Sequence, residues 1–590
     1  MEGKRHSSEA YNVNGRISRM QEDLLLCSED FVSSFKPRRA TRTRASQATG
    51  VPLQRPHVAI VGAGLAGLRC AEVLLSKGAK VTILEGRSRI GGRIHQASLQ
   101  GRTVDMGPNW IHGTKDNPLV KLAQETNTDL CSVDDSTSVY DPQGLPITNE
   151  EATAGFEKVW TFISDAFRYS NEQCRSIRAS MSLKDFFLEK LSGQSNSEER
   201  GLVLLLAEVW GSFIGDPWEK QSLKWFWLEE CLDGDNLYVS GSHEAIVRRI
   251  AEYVLSRAKI HFSTKVTSVE STITEGGDPI VVVRAENSCF EFDEVVIAVP
   301  LGCLKREQPT ILPPMASNLR QAIKNASYSS LEKVYVSFPV DFWSEKASGC
   351  QLSGNESQAK MSPSPSFAHF LQPQYVPEHQ KSWTIEVVPL SSPAQFGDQA
   401  QATLLFYLYG PCATYVTSLI RELPPTSSEY INKLVEFFRP YYSRLPNYKD
   451  DHPDCVPNAV LATNWQNDDL AGNGSYTNFK VSEDVQDGQG EVRLDEDIRA
   501  MRLGIPERGI WFAGEHTAPF VALGTSTGAY WSGESAAVKI LAANGLLQRS
   551  ANSCDAVGSS DPWQPTMQAA PLIQGSFHSS SFGSRQCGKV

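Results

Sequence analysis

His57-Val58-Ala59-Ile60-Val61-Gly62-Ala63-Gly64-Leu65-Ala66-Gly67-Leu68 is the stretch that decides how this chain is read. An apolar run from Val58 to Val61 has the length of a short strand, and Leu68 to Leu75 then carry apolar residues at helical spacing. Gly62, Gly64 and Gly67 between them form G-x-G-x-x-G. The first glycine permits a tight turn, the second lets backbone approach a pyrophosphate, and the third lets helix and strand touch. The helix then begins at Leu65 and Ala66, whose N–H groups face the phosphates. Val81 to Leu84 reads as a second strand, closing a βαβ unit, and Glu85 at its end stands where a carboxylate can hold an adenosine ribose. A bare glycine turn would explain the motif alone; strand, helix and acid together point to dinucleotide binding.

Outward from that unit, composition bounds the rest. The 590 residues are 41% hydrophobic and 21% charged, within the globular range, and long enough for two to four domains. A net charge of -12 argues against a nucleic-acid partner and suits cationic ligands. Twelve cysteines are scattered from Cys27 to Cys587 without a Cys-x-x-Cys pair or a Cys/His cluster, so no metal site is expected and a reducing, cytoplasmic compartment is. Asn325, Asn355 and Asn473 head glycosylation sequons, which occur often by chance. No apolar run is long enough to span a membrane, no secretory h-region opens the chain, and its end is not Ser-Lys-Leu. Residues 1–55 read as a flexible basic arm and 546–590 as a disordered Ser/Gly/Gln-rich tail. Between them, strands are predicted around Val281–Arg284, Val295–Val299 and Val334–Phe338, and helices over 155–168, 243–256 and 428–438.

Glu85 is followed by Gly86, Arg87, Ser88, Arg89, Ile90, Gly91, Gly92 and Arg93. This stretch resembles the second FAD-binding motif of flavin amine oxidases, in which arginine and paired glycines continue the pyrophosphate cradle. Gly107, Pro108, Asn109, Trp110, Ile111, His112 and Gly113 resemble the family segment that runs past the flavin. Gly509 to Thr517, with Gly514 and Glu515, resembles its closing strand and flavin-binding turn. The stretch from Gly524 to Gly533 resembles the turn and helix N-terminus that meet the ring. Thr525, Thr527 and Gly528 lie there, with Thr527 where many relatives have histidine. Val266 and Trp465 are placed with these as cofactor contacts.

The resemblance implies an α/β architecture: a Rossmann-type FAD-binding domain plus an α+β substrate-binding domain. The FAD-binding domain is expected from segments 56–130, 238–315 and 451–545, and the substrate domain from 131–237 and 316–450. It implies roles for Lys333, as holder of a water against the reactive flavin nitrogen, and for His112, as a substrate-positioning group; a solvated lysine and a structural histidine are the bland alternatives. Monoamine oxidases carry a flavin-linking cysteine where this chain has Ser475, so the FAD is expected to be noncovalent. Tyr476 is expected as one aromatic wall, with Glu534 in place of the opposite tyrosine. Trp210, Phe213, Trp218, Trp225, Phe226 and Trp227, with Glu229 and Glu230, could wall a tunnel for a cationic aliphatic chain or could simply be core. The function implied is oxidation of a polyamine by O2, through an iminium, to an aldehyde, a shortened amine and hydrogen peroxide. Monoamine oxidation, L-amino-acid oxidation, lysine demethylation and an inactive flavoprotein scaffold are the alternatives. A demethylase is disfavoured because neither a long antiparallel helical insertion nor a basic surface is evident.

Overall fold

The computed structural model describes residues 55–546 apart from 134–135, 287, 345–364, 379–382 and 483–491. The expected arm (save Arg55), the tail (save Leu546) and Asn355 lie outside the described residues. Strand β1 (His57–Val61), helix α1 (Leu65–Ser76) and strand β2 (Lys80–Leu84) form the βαβ opening. Strands β3 (Lys259–His261), β4 (Glu294–Ile297) and β5 (Ile510–Phe512) join them in one sheet of order β5-β4-β1-β2-β3. Every pairing in it is parallel. Alternate side chains leave a strand on opposite faces, so Val58 and Ile60 enter the core shared with Leu68 and Leu74 of α1. Ala59 and Val61 enter the core on the other face, with Val295 and Phe512. Burial on both faces is why these strands read as unbroken apolar runs. Helix α2 (Ser526–Ala543) lies against α1 so closely that a Cβ on Gly533 would stand 2.1 Å from the Ala66 carbonyl oxygen.

A second sheet has six strands in the order Ala459–Ala462, Glu332–Ser337, Thr403–Leu408, Ile385–Pro389, Phe367–Phe370 and Thr137–Tyr140. Its neighbours are antiparallel except the last pair. Val334 and Val336 face a core with Phe437 and Phe438 of the helix Ser428–Tyr442. Tyr335 and Tyr407 face the other way, toward Met106 and Tyr238. The two-residue period of a strand puts Lys333 on that second face, the one turned to the nucleotide-binding half.

The helices expected over 155–168, 243–256 and 428–438 are Asn149–Gln173, Glu244–Leu255 and Ser428–Tyr442. The first starts early because Thr148 and Glu151 form a capping box. The aromatic residues of 210–227 pack in two hydrophobic cores: Phe226 stacks on Phe167 at 4.1 Å and Trp210 on Phe213 at 5.4 Å, while Trp225 and Trp227 join the core of Val295 and Phe512. Among the described residues the cysteines are free, no acid/His/Cys group could hold a metal ion, and no helix is long and apolar enough to cross a membrane.

Candidate active site

One cavity runs from the glycine turn of β1 and α1 to the inner face of the six-stranded sheet. At the nucleotide end, Gly62 holds φ +108°, a conformation in which a side chain is strained, and Gly64, Leu65 and Ala66 line the opening. A Cβ on Gly64 would meet nothing closer than Gly92 Cα at 4.0 Å, so its open side is available to a ligand. Gly67 has the opposite surroundings: a Cβ there would stand 2.1 Å from the Gly62 carbonyl oxygen, so its role is packing and it does not line the cavity. With Gly64 as an N-cap that offers no side-chain acceptor, the first N–H groups of α1 are left for an anion.

Glu85 is held by two backbone donors, Ala63 N at 2.6 Å to Oε2 and Arg87 N at 2.7 Å to Oε1. Each oxygen retains a lone pair for a ribose hydroxyl. Gly91 N donates to Ala63 O at 2.8 Å, which stitches the second motif to the first. Gly91, Gly92, Arg93 and Val266 line the same wall. Arg87 also lines it, with its guanidinium bonded to Asp468 at 2.8 Å. Arg93 departs from a simple phosphate fork: Nη1 donates to Ser475 O at 2.7 Å and pairs with Glu515 at 3.0 Å. Burial works against the Glu515 charge, but Arg93, His516 and a bond from Thr477 N hold its carboxyl below the usual range. These features fit a dinucleotide: open glycine backbone, an uncapped helix end, and a carboxylate with acceptors to spare.

At the other end Gly107, Pro108, Asn109, Trp110 and His112 line the cavity together with Lys333, Tyr407, Trp465 and Tyr476. Trp110 Nε1 donates to Tyr407 Oη at 3.2 Å, Trp465 Nε1 to Met106 O at 3.2 Å, and Tyr476 Oη to Phe213 O at 2.9 Å. With these polar tips satisfied by protein, the apolar bodies of the rings remain for a ligand. Lys333 Nζ is buried and donates to Asp105 O and Asn109 Oδ1, both at 2.6 Å, and to Gly107 O. Burial pushes Lys333 down to about 7, partly offset by the charges of Asp105 and Glu332. Glu332 points to the other face of the strand, where burial pushes it up to about 7 despite bonds from Thr463 Oγ1 and Gln466 N.

Several expected positions lie elsewhere. Thr527 donates to Asn117 Oδ1 at 3.1 Å and Gly528 N donates to Thr525 Oγ1 at 2.9 Å, so neither lines the cavity. Thr525 does, because it is the N-cap, and one turn into the helix Ala529 lines it too. Glu534 is corrected outright: it pairs with Arg69 of α1 at 3.2 Å and does not face Tyr476. Five residues beyond Ala529, the helical period has turned it toward α1. Glu229 and Glu230 are not cavity-lining. Glu229 is buried and its charge helps burial push the Tyr476 hydroxyl upward; Glu230, desolvated and near Asp233, is pushed up to about 7. Unanticipated were Asp105, Tyr335 and Tyr407 around Lys333, and Cys303, which donates to Asp469 O at 3.4 Å. Only the alternation Lys333-Val334-Tyr335 hinted at any of them, by placing Tyr335 on the lysine's face.

The profile of the family described as "Flavin containing amine oxidoreductase" matches residues 65–541. "Protein FLOWERING LOCUS D" of Arabidopsis thaliana is 26% identical over 486 residues, 78% of this chain and 52% of that one. "Lysine-specific histone demethylase 1 homolog 2" of the same plant is 28% identical over 510 residues, 82% of this chain and 58% of that one. "Probable polyamine oxidase 4", also from Arabidopsis thaliana, is 28% identical over 304 residues, 49% of this chain and 59% of that one. Those matches therefore span little more than half the length of each relative. Among solved structures, cyclohexylamine oxidase from Brevibacterium oxydans IH-35A superposes with a TM-score of 0.60 at 16% identity, covering 84% of this chain and all of that one. A putrescine oxidase mutant superposes at 0.59 and 17%, covering 83% of this chain and all of that one.

Proposed function

This chain belongs to the family of flavin containing amine oxidoreductases, with FAD as its cofactor, and from that premise we propose that it oxidises polyamines: spermine, spermidine or their N-acetylated forms. The observation that carries the reading is the single cavity joining the glycine cradle to Lys333 and the ring walls of Trp110, Tyr407, Trp465 and Tyr476. Apolar walls accept methylene spacers, and ring faces attract an ammonium group. The net charge of -12 favours the approach of a polycation. The same reading assigns 56–130, 238–315 and 451–545 to the FAD-binding domain and 131–237 and 316–450 to the substrate domain. It leaves the FAD noncovalent, since Ser475, whose Oγ donates to Leu331 O at 2.5 Å, cannot form a thioether.

FAD, when bound, accepts a hydride equivalent from the carbon next to the amine nitrogen and is restored by O2, which is released as hydrogen peroxide. The protein's part is orientation and exclusion of water. Gly62, Gly64, Glu85, Gly91 and Gly92 grip the dinucleotide; Trp110, His112 and Tyr476 position a neutral amine; Lys333, whose three ammonium N–H groups are met by Asp105 O, Gly107 O and Asn109 Oδ1, holds a proton at the same wall. Water then adds to the iminium left on the substrate, and collapse gives the aldehyde and the shortened amine.

Peroxide release with spermine, N-acetylspermine, benzylamine, amino acids and a methyl-lysine histone peptide tests the substrate class. Turnover of the polyamines alone is the expected result. A second reading, demethylation of peptidyl lysine, is favoured by the relatives named as demethylases; turnover of the peptide alone would replace our proposal with it. In the polyamine reaction Lys333→Met should slow flavin reduction or reoxidation roughly tenfold or more while FAD stays bound, and unaltered stopped-flow rates in both half-reactions remove the catalytic assignment of Lys333.

A further inference from the structure

Asn109 makes more contacts with the lysine wall than a cofactor-lining residue needs. Its Oδ1 accepts from Lys333 Nζ at 2.6 Å and from Tyr407 Oη at 3.0 Å. Its Nδ2 faces two hydroxyls, Tyr335 Oη at 3.2 Å and Tyr238 Oη at 3.4 Å. A side-chain amide has one acceptor end and one donor end, and here each end meets what it requires. The reversed amide would aim two N–H groups at an ammonium and a donor hydroxyl, so the network itself fixes which way the group points. The backbone is equally fastened. Asn109 O accepts from Val239 N at 2.8 Å, and Gly107 runs so close to Arg93 that a Cβ there would stand 2.1 Å from the Arg93 carbonyl oxygen. Asn109 is 3% exposed and Lys333 4%, so the pair is almost wholly enclosed by the rest of the chain.

An ammonium has three N–H donors, and the described contacts supply three acceptors: two main-chain carbonyls, Asp105 O and Gly107 O, and one side chain, Asn109 Oδ1. The carbonyls cannot be altered by substitution without moving the chain, whereas the amide can. We propose that Asn109 is the positioning residue for Lys333, fixing the direction of its Nζ at the cavity wall and setting the balance between its ammonium and amine forms. This rests on the reading of Lys333 as the group that serves the oxidation. The charged and titratable groups around Lys333 are Asp105, which is paired with His243 at 2.9 Å, and Glu332 on its own strand. Tyr335, Tyr407 and Tyr238 complete the set, and burial pushes all three phenols upward, so they stay neutral across the accessible pH range. Glu332 and Asp105 are unchanged by substitution at residue 109, which leaves the amide as the adjustable member.

The test uses the FAD-loaded enzyme and two half-reactions: anaerobic flavin reduction by spermine, and reoxidation by O2 after reduction with dithionite, each followed across pH in the visible flavin absorbance. Asn109→Asp keeps the shape and places a carboxylate on the ammonium. It should move the lysine-dependent inflection to higher pH by about one unit or more. Asn109→Leu removes the acceptor and should move it to lower pH, with slower rates because Nζ is no longer aimed. Lys333→Met should abolish the inflection. Opposite shifts in the two Asn109 variants are not produced by a merely structural role. An inflection that stays in place in Asn109→Asp while Lys333→Met abolishes it overturns the positioning role alone. If Lys333→Met keeps both rates and the inflection, the parent reading of Lys333 fails and this one with it. Should Asn109→Leu not hold FAD, the isosteric Asn109→Asp decides.

Discussion

Around Gly62–Ala66 the cavity wall is largely backbone drawn from residues 61–93, whereas around Lys333 it is side chains and carbonyls brought from 106–112, 333, 407, 465 and 476. The nucleotide end binds through groups every residue owns, with glycines clearing space for them. The end around Lys333 offers particular side chains whose neighbours come from two sheets and a connecting segment. An end built from backbone fails through geometry, and one built from side chains fails through chemistry.

The sharpest break in that contrast comes from two glycines of one motif. Gly67→Ala puts a methyl 2.1 Å from the Gly62 carbonyl oxygen, a backbone atom that cannot swing aside. It should cost about 3 kcal/mol or more and lower both folded yield and Tm. Gly64→Ala, with its nearest atom at 4.0 Å, should fold normally and lose FAD affinity. Thermal melts with and without added FAD check both; equal Tm losses for the two variants would erase the distinction between packing glycine and ligand-facing glycine.

Next in size is the pH response of the amine end. Lys333 falls from 10.5 to about 7 on burial, so between those values the unfolded chain carries a proton that the folded chain has released. Stability should therefore rise with pH from about 7 to about 10.5, and the burden is full below about 7. The gain is of the order of a few kcal/mol. Lys333→Met should lack it, so denaturant titrations at successive pH values should give a flatter slope for the variant. Its absolute stability is a poorer measure, because three acceptors lose their donor.

Smaller effects test the nucleotide end where it borrows side chains. Glu515→Gln leaves Arg93 without its buried partner, 5% exposed at the glutamate, and should cost about 2 kcal/mol and weaken FAD binding. Asp468→Asn breaks a pair whose side chains are 18% and 25% exposed and should cost about 1 kcal/mol or less. If the second substitution proved the more damaging, Arg87 would be the principal anchor and Arg93 the auxiliary.

How much could be read beforehand follows the same division. Gly62, Gly64 and Glu85 were legible because strand, turn and helix lie within one short run, and Gly91, Gly92 and Arg93 through the resemblance of the stretch that follows; all six line the cavity. Lys333, Tyr476 and Trp465 were reached through family resemblance and do line the cavity. Thr527 and Gly528 were misplaced by a single helical step, since rotation about the α2 axis decides which residue faces a ligand. Glu534 was misplaced because resemblance along the chain carries no information about which helix lies opposite. The acids Glu229 and Glu230 looked like a charge run beside aromatics, and only tertiary structure shows that Glu229 is buried, its charge acting on Tyr476, and that Glu230 is desolvated near Asp233.

By itself the amino-acid sequence determined the nucleotide-binding βαβ unit and, through motif resemblance, the family, the flavin and the candidate lysine, because each depends on neighbours in the chain or on a short motif. Tertiary structure alone decided that the lysine meets Asp105, Gly107 and Asn109, that Arg93 is matched by Glu515, and that Glu534 turns away. Those contacts join residues more than two hundred positions apart, and their register is set by how the two sheets and the helices between them pack. Linear spacing does not encode it.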